Sequence, residues 1–340
     1  MFADFHGNRA IAEVLEQAAV SGRIPQTLLF AGPEGVGKAT LARRFAARLL
    51  GGADKIERDD LSLPHNADYI AEREKWPAER RLEDPLLFSS QPDFVTFAPD
   101  GPLRQISISQ IRFLKERAQY KPLKGQRRVF LIDQIDRAGE QAANSLLKTL
   151  EEPPDYLILI LTAANPYDLL PTIRSRAVWF HFAPLGDEEM RQFIAWRKLD
   201  EVERRIALAR GSPGRAVSVD LAVYDRGRAG MLALLEVASG AAPFENWLRF
   251  AESPAARQER LEDLLRVLYL LLEDVLLLRF GADGIRNADL QAELEALAGR
   301  VSFVWLRRAV EKVDELASLL RRNIQKSIAL DALILELRTG

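Results

Sequence analysis

The sequence predicts an open, mostly parallel α/β domain with helices on both faces, followed by a small helical lid and an all-α C-terminal bundle. Three observations predict it. A short apolar run, Thr27–Ala31 (TLLFA), a glycine-rich loop and a helix with one apolar face follow one another in that order. Apolar runs and helical patterns then alternate up to about residue 183, as strands and covering helices of a parallel sheet do. Beyond that point strand patterns cease and only amphipathic helical spacing continues.

The elements are legible in order. Residues 11–19 have helical spacing, and Gly22 follows as a stop. TLLFA, bounded by Pro25 and Gly32, suits a central strand buried on both faces. Leu41, Phe45, Ala46 and Leu49 then line one helix face between residues 39 and 50. Between Ala71 and Asp84, nine of fourteen residues are charged, so the insertion at about 52–90 reads as a solvated helix or a mobile segment. QPDFVTF (91–97) returns to the sheet, and Ser107 or Ser109 caps a helix carrying Ile111, Leu114 and Ala118. RVFLI (128–132) is the next strand; Ala143, Leu146, Leu147 and Leu150 mark a helix stopped by Pro153-Pro154. LILILT (157–162) and VWFHF (178–182) complete the strands. Three short helices at 187–197, 201–210 and 213–219 form the lid, and longer ones follow, with breaks at Ser253-Pro254, at 281–284 and at Gly299. The domains expected are thus 1–183, 184–224 and 225–340.

Composition excludes several functions. The 47 basic and 49 acidic residues leave a net charge of -2, so no global positive field argues for capture of nucleic acid. With no cysteine in the chain, disulfides, thiolate metal sites and cysteine nucleophiles are excluded. The N-terminus lacks a basic stretch leading into an apolar core, so no export signal is read and cytoplasmic residence is expected. The most apolar stretch, 264–280, is interrupted by Arg266, Glu273, Asp274 and Arg279, and reads as a buried helix rather than a membrane span.

The candidate chemistry centres on the loop Gly32-Pro33-Glu34-Gly35-Val36-Gly37-Lys38. Its glycines let backbone N–H groups converge on phosphate oxygens at a helix N-terminus, and Lys38 reaches the outer phosphates. The loop's setting between strand and helix favours a nucleotide site over an ordinary glycine turn. Ala39 stands where a hydroxyl would ligate magnesium, and Thr40 comes one place late, about 100° further round the helix. Asp133 ends its strand as a metal-site acid would, but the next residue is Gln134, which cannot serve as a base near neutral pH. ATP binding is therefore expected, with magnesium weakened and efficient hydrolysis absent. The three histidines are scattered, and His181, within an apolar strand, reads as a satisfied structural residue.

AANSLLKTLEEPP (142–154), LLPTIRSRAVWFHF (169–182), GRIPQTLLFAGPEGVGKATLARRFAARLL (22–50), GSPGRAV (211–217) and NIQKSIALDALILEL (323–337) resemble the clamp-loader branch of the AAA+ ATPases, the delta-prime subunits of bacterial DNA polymerase III within it. The resemblance covers nearly the whole chain outside about 52–90. It implies an AAA+ domain, a lid and an oligomerisation collar, in a ring with gamma/tau and delta subunits that loads a sliding clamp on primer-template DNA. In such rings a Ser-Arg-Cys motif supplies an arginine to a neighbour's ATP; the matching residues are Ser175, Arg176 and Ala177. Arg174 is a second candidate, and an intra-domain ion pair is the plainer role for Arg176. Relatives often carry a four-cysteine zinc module, which the absence of cysteine rules out here. The lid arginine of relatives aligns near Gly214, with Arg215 beside it, and Thr162 or Asn165 would sense phosphate. The alternatives are an active AAA+ motor, which should carry Ser/Thr at 39 and Glu at 134, and a small-molecule phosphotransferase, for which no catalytic constellation is found.

Overall fold

A computed structural model describes residues 2, 4–253, 259, 261–319 and 325–338. The expected break at Pro254 and residues 323–324 of the C-terminal motif lie outside the described residues. The chain divides into two compact units, Met1–Val217 and Ser218–Gly340; the helices after residue 184 and before 218 belong to the same unit as the sheet.

The first unit is built on six strands: β1 (Thr27–Ala31), β2 (Leu87–Phe88), β3 (Phe94–Phe97), β4 (Arg128–Ile132), β5 (Leu157–Ala163) and β6 (Val178–His181). Their order is β2-β3-β4-β5-β1-β6. All neighbours pair in parallel except β2, which runs antiparallel to β3 at one edge. Every residue of β1 is buried, so successive side chains feed two different cores. Leu28 and Phe30 join Leu41 and Phe45 of α2 (Lys38–Leu50) and Leu15 of α1 (Arg9–Ser21). Leu29 joins Phe130, Leu159 and the apolar faces of α6 (Ile108–Ala118) and α7 (Glu140–Glu151) on the other side. Ser107 is the cap of α6: its hydroxyl accepts from the Gln110 N–H while the Gln110 side chain accepts from the Ser107 N–H, two otherwise orphaned donors satisfied at once.

Two sequence expectations are corrected. The charged insertion folds as α3 (Ala53–Glu57), α4 (Pro64–Arg73) and α5 (Ala78–Glu83) and is tied to the domain rather than merely solvated. Most of its charges stay exposed, and Arg73 is an exception: with no exposed surface, it donates to both Asp100 oxygens at 2.7 and 3.2 Å and to the Asp84 backbone carbonyl at 2.5 Å. The Trp76 ring lies 4.5 Å from Arg73 and carries Arg80 at 3.6 Å. The second correction concerns His181, which is exposed because β6 is the sheet's other edge; it packs against Trp179, ring centroids 5.6 Å apart.

A small core of Leu185, Met190, Ile194, Ile206, Ala209 and Ala216 joins α9 (Asp187–Trp196), α10 (Val202–Ala209) and α11 (Pro213–Ser218) as the lid. The second unit packs the helices Leu221–Ala238, Phe244–Ala251, Leu261–Arg279, Gln291–Arg300, Phe303–Ser318 and Lys326–Arg338 around one apolar core that includes Leu235, Trp247, Leu268, Val275, Leu294, Ala309 and Ile334. Among the described residues, no helix is long and apolar enough to cross a membrane.

Candidate nucleotide site and arginine loop

β1 ends at Ala31, and the Gly32 N–H continues its ladder by donating to Ala163 O at 3.1 Å. The chain then turns through Gly35 (φ 79°) and Gly37 (φ 97°) into α2, conformations that a side chain resists. Space forbids one as well: a Cβ on Gly32 would lie 2.2 Å from Phe182 O, and one on Gly37 would lie 3.0 Å from the Phe5 ring. Gly32, Gly35 and Gly37 therefore shape a cradle at a helix N-terminus, which fits a phosphate chain. Lys38 is folded back on this loop, its Nζ donating to Gly32 O at 2.5 Å and Pro33 O at 2.7 Å. Burial lowers its pKa from the ordinary lysine value, opposed by the carboxylates of Asp133, Asp136 and Glu34. Ala39 offers a methyl at the magnesium position, and Thr40 lies one step further along α2.

Asp133 follows β4 and is buried. Thr162 Oγ1 donates to its Oδ1 at 2.6 Å and accepts the Gln134 N–H at 2.8 Å, so Thr162 joins the two positions rather than standing free. Burial pushes the Asp133 carboxyl above the usual carboxylate range, against the pull of Thr162, Lys38 and Arg43. Gln134 is left-handed at φ 54°. Asn165 closes a turn, as its Asn-Pro context suggested: its Oδ1 accepts from Tyr167 N at 3.0 Å. The donor set thus fits phosphate, and for magnesium it lacks the hydroxyl at 39. Among the described residues, no group of three or more His, Asp or Glu could hold a metal ion.

One contact was not foreseen from the sequence. The lid's last helix begins directly on the loop: Ser212 Oγ donates to Glu34 O at 3.0 Å, and the Gly214 N–H donates to Gly35 O at 2.8 Å. A Cβ on Gly214 would lie 2.9 Å from the Gly35 Cα, so the position aligned with a lid arginine has no room for a side chain in this arrangement. The signal available was the pairing of two glycine-containing motifs, GPEG and GSPG, but nothing in their spacing says that they meet.

Arg176 lies apart from this cluster, after the single turn α8 (Pro171–Arg174). Ile173, fully buried, and a 2.8 Å bond from Trp179 Nε1 to Arg174 O hold the segment. The Arg176 guanidinium is partly exposed and makes an ion pair with Glu151 Oε1 at 2.7 Å, while its Nη1 donates to Thr172 O and Ser175 Oγ. Arg174 stacks 5.4 Å over the Tyr167 ring.

Residues 82–186 match a family model described as DNA polymerase III, delta subunit, and residues 241–339 match the C-terminal model of the same description. The chain is 31% identical over 196 residues to the DNA polymerase III subunit tau/gamma of Haemophilus influenzae, covering 57% of this chain and 25% of that one. It is 30% identical over 190 residues to the tau subunit of Escherichia coli, covering 56% of this chain and 26% of that one. The chain thus spans about a quarter of the length of these relatives. Among solved structures it is similar to a gamma-subunit-related protein of Thermotoga maritima, with 17% identity, a TM-score of 0.44, and coverage of 96% of this chain and 98% of that one. The two delta-subunit models occur in order and together cover more than half of the sequence, so the chain belongs to the clamp-loader subunit family of DNA polymerase III.

Proposed function

We propose that this chain is a delta-prime-like assembly subunit of a clamp loader, a poor ATPase itself, which offers Arg176 to the ATP of a neighbouring subunit. The observation that carries this reading is a split within one site: the phosphate cradle of Gly32, Gly35, Gly37 and Lys38 is complete, whereas Ala39 and Gln134 leave out a metal ligand and a water-polarising carboxylate. ATP would be held through its phosphates by the cradle, Lys38 being released from Gly32 O and Pro33 O to meet them. Arg176 brings the planar cation that neutralises charge on a transferring phosphoryl group. The partners are gamma/tau and delta subunits, with the sliding clamp and primer-template DNA met through the complex, in the cytoplasm.

The test is ATP hydrolysis by the isolated chain and by the complex reconstituted with gamma/tau and delta subunits. The isolated chain should show no turnover above background, and Arg176→Ala should lower that of the complex. An arginine finger contributes roughly 10³–10⁵ in rate where it is the main one, diluted in a ring with several sites. Similarity to gamma/tau subunits over 57% of the chain favours a second reading, a hydrolysing motor. Motor-like turnover by the chain alone, abolished by Lys38→Ala, would establish that reading instead.

A further inference from the structure

We propose that Glu151 is the positioning residue for Arg176, holding its guanidinium in one orientation before a neighbour engages it. The inference rests on the reading of Arg176 as a donor. Glu151 is the last residue of α7, followed by Glu152. A carboxylate there faces the negative end of the helix dipole, and the adjacent acid adds repulsion. The helix gains nothing from an acid at this end, so its benefit must lie in what it touches.

What it touches is Arg176 Nη2, at 2.7 Å, with the side chains 49% and 32% exposed. A pair this exposed adds little to stability. Its effect is geometric. The backbone of the segment is fixed from beneath by buried Ile173, by the Arg176 N–H donating to Ile173 O at 3.2 Å, and by Trp179. Thr172 O and Ser175 Oγ take up Nη1. Glu151 then fixes the rotation that these contacts leave open. Of the five N–H donors of a guanidinium, the Nε–H and the second Nη2–H remain for a phosphoryl oxygen. Holding the cation in place beforehand removes the freedom it would otherwise lose at the moment of reaction.

The test is a double-mutant cycle in the reconstituted complex, with ATPase kcat and KM measured for wild type, Glu151→Ala, Arg176→Ala and the double variant. Coupled residues should not add, so Glu151→Ala should lower kcat by about 3- to 10-fold with KM nearly unchanged, and should have no further effect on the Arg176→Ala background. Glu151→Gln, which keeps the size and an acceptor oxygen, should lose less. Melting of each chain variant and gel filtration of each complex confirm that the comparison is between folded, assembled species; if Glu151→Ala does not assemble, Glu151→Gln completes the cycle. Wild-type kcat in Glu151→Ala beside an impaired Arg176→Ala overturns the positioning role and leaves the donor reading standing. Losses that multiply in the double variant overturn it equally, because Glu151 then acts through something else. A complex with Arg176→Ala that hydrolyses ATP as wild type overturns the donor reading first, and this proposal with it.

Discussion

Gly35 and Gly214 meet backbone to backbone, and that contact decides what either position can carry. Gly35→Ala places a methyl 2.2 Å from Ser212 Oγ in a residue at φ 79°, combining left-handed strain with a collision between loop and lid. A cost of about 1–3 kcal/mol is expected from the strain alone, read from urea denaturation. Gly22→Ala is the control: the same left-handed sign, φ 70°, with nothing within 4 Å. It should cost only roughly 1 kcal/mol. Equal losses in the two variants would mean that the lid contact is absent in solution. A pH dependence belongs at this scale too. Burial raises the Asp59 carboxyl above its ordinary value of 3.8, opposed by the Ser90 N–H and by Arg43. The folded state therefore binds this proton more readily than the unfolded one, so stability falls as pH rises from the ordinary value through the raised one. Asp59→Asn, which keeps an acceptor for Ser90, should melt higher than wild type at neutral pH, with the advantage vanishing in acid below the ordinary carboxylate value. An advantage independent of pH would show that charge burial is not its cause.

The insertion shows how an element stable on no apolar face of its own can still be fixed. Its helices are short and polar, and few of its apolar side chains are buried, Ile56, Ile70 and Leu86 among them. What periodicity cannot see is that Asp100, outside the charged run, aligns with Asp84 and Tyr69 around one buried arginine. The charge density reads as solvation along the chain, and α5 is indeed solvated; the buried Arg73 and its partners are what that reading misses. Arg73→Ala leaves Asp100 buried without its partner and removes the face on which Trp76 stacks. Removing one member of such a pair costs about 3–5 kcal/mol, discounted here because the Asp84 side chain is 61% exposed. A fall in the urea midpoint at unchanged m-value is expected, and excising residues 71–84 should destabilise the domain at least as much. A change under about 1 kcal/mol would return the segment to the status of a solvated appendage.

At the scale of the whole molecule, what was legible in the sequence is what local rules determine. The strands around Leu28, Phe130 and Leu159 are continuous apolar runs because both sheet faces are covered, and the phosphate loop is a contiguous motif. Contacts such as Gly35–Gly214 and Glu151–Arg176 join residues far apart in sequence through polar or backbone atoms, which leave no periodic trace. Hydrophobic periodicity also could not say whether the C-terminal helices bury their stripes within the chain, and the second unit answers in part. Its core runs from Met231 to Leu337 and includes fully or almost fully buried Leu235, Trp247, Leu268, Leu271, Val275, Leu294, Ala309 and Ile334. Trp247 Nε1 donates to Asp331 at 2.6 Å, and Arg228 grips Asp289 with both Nη atoms at 2.7 and 2.6 Å. A unit of this size with its own core should fold independently. Residues 218–340 produced alone are therefore expected to be helical and monomeric at low concentration and to unfold in one cooperative urea transition. Trp247→Ala, which empties the centre of that core, should lower the stability of the fragment and of the full chain by a similar amount, about 3–5 kcal/mol. A fragment that binds hydrophobic dye and melts without cooperativity would show instead that its apolar stripes need the rest of the chain, or another subunit, to be buried.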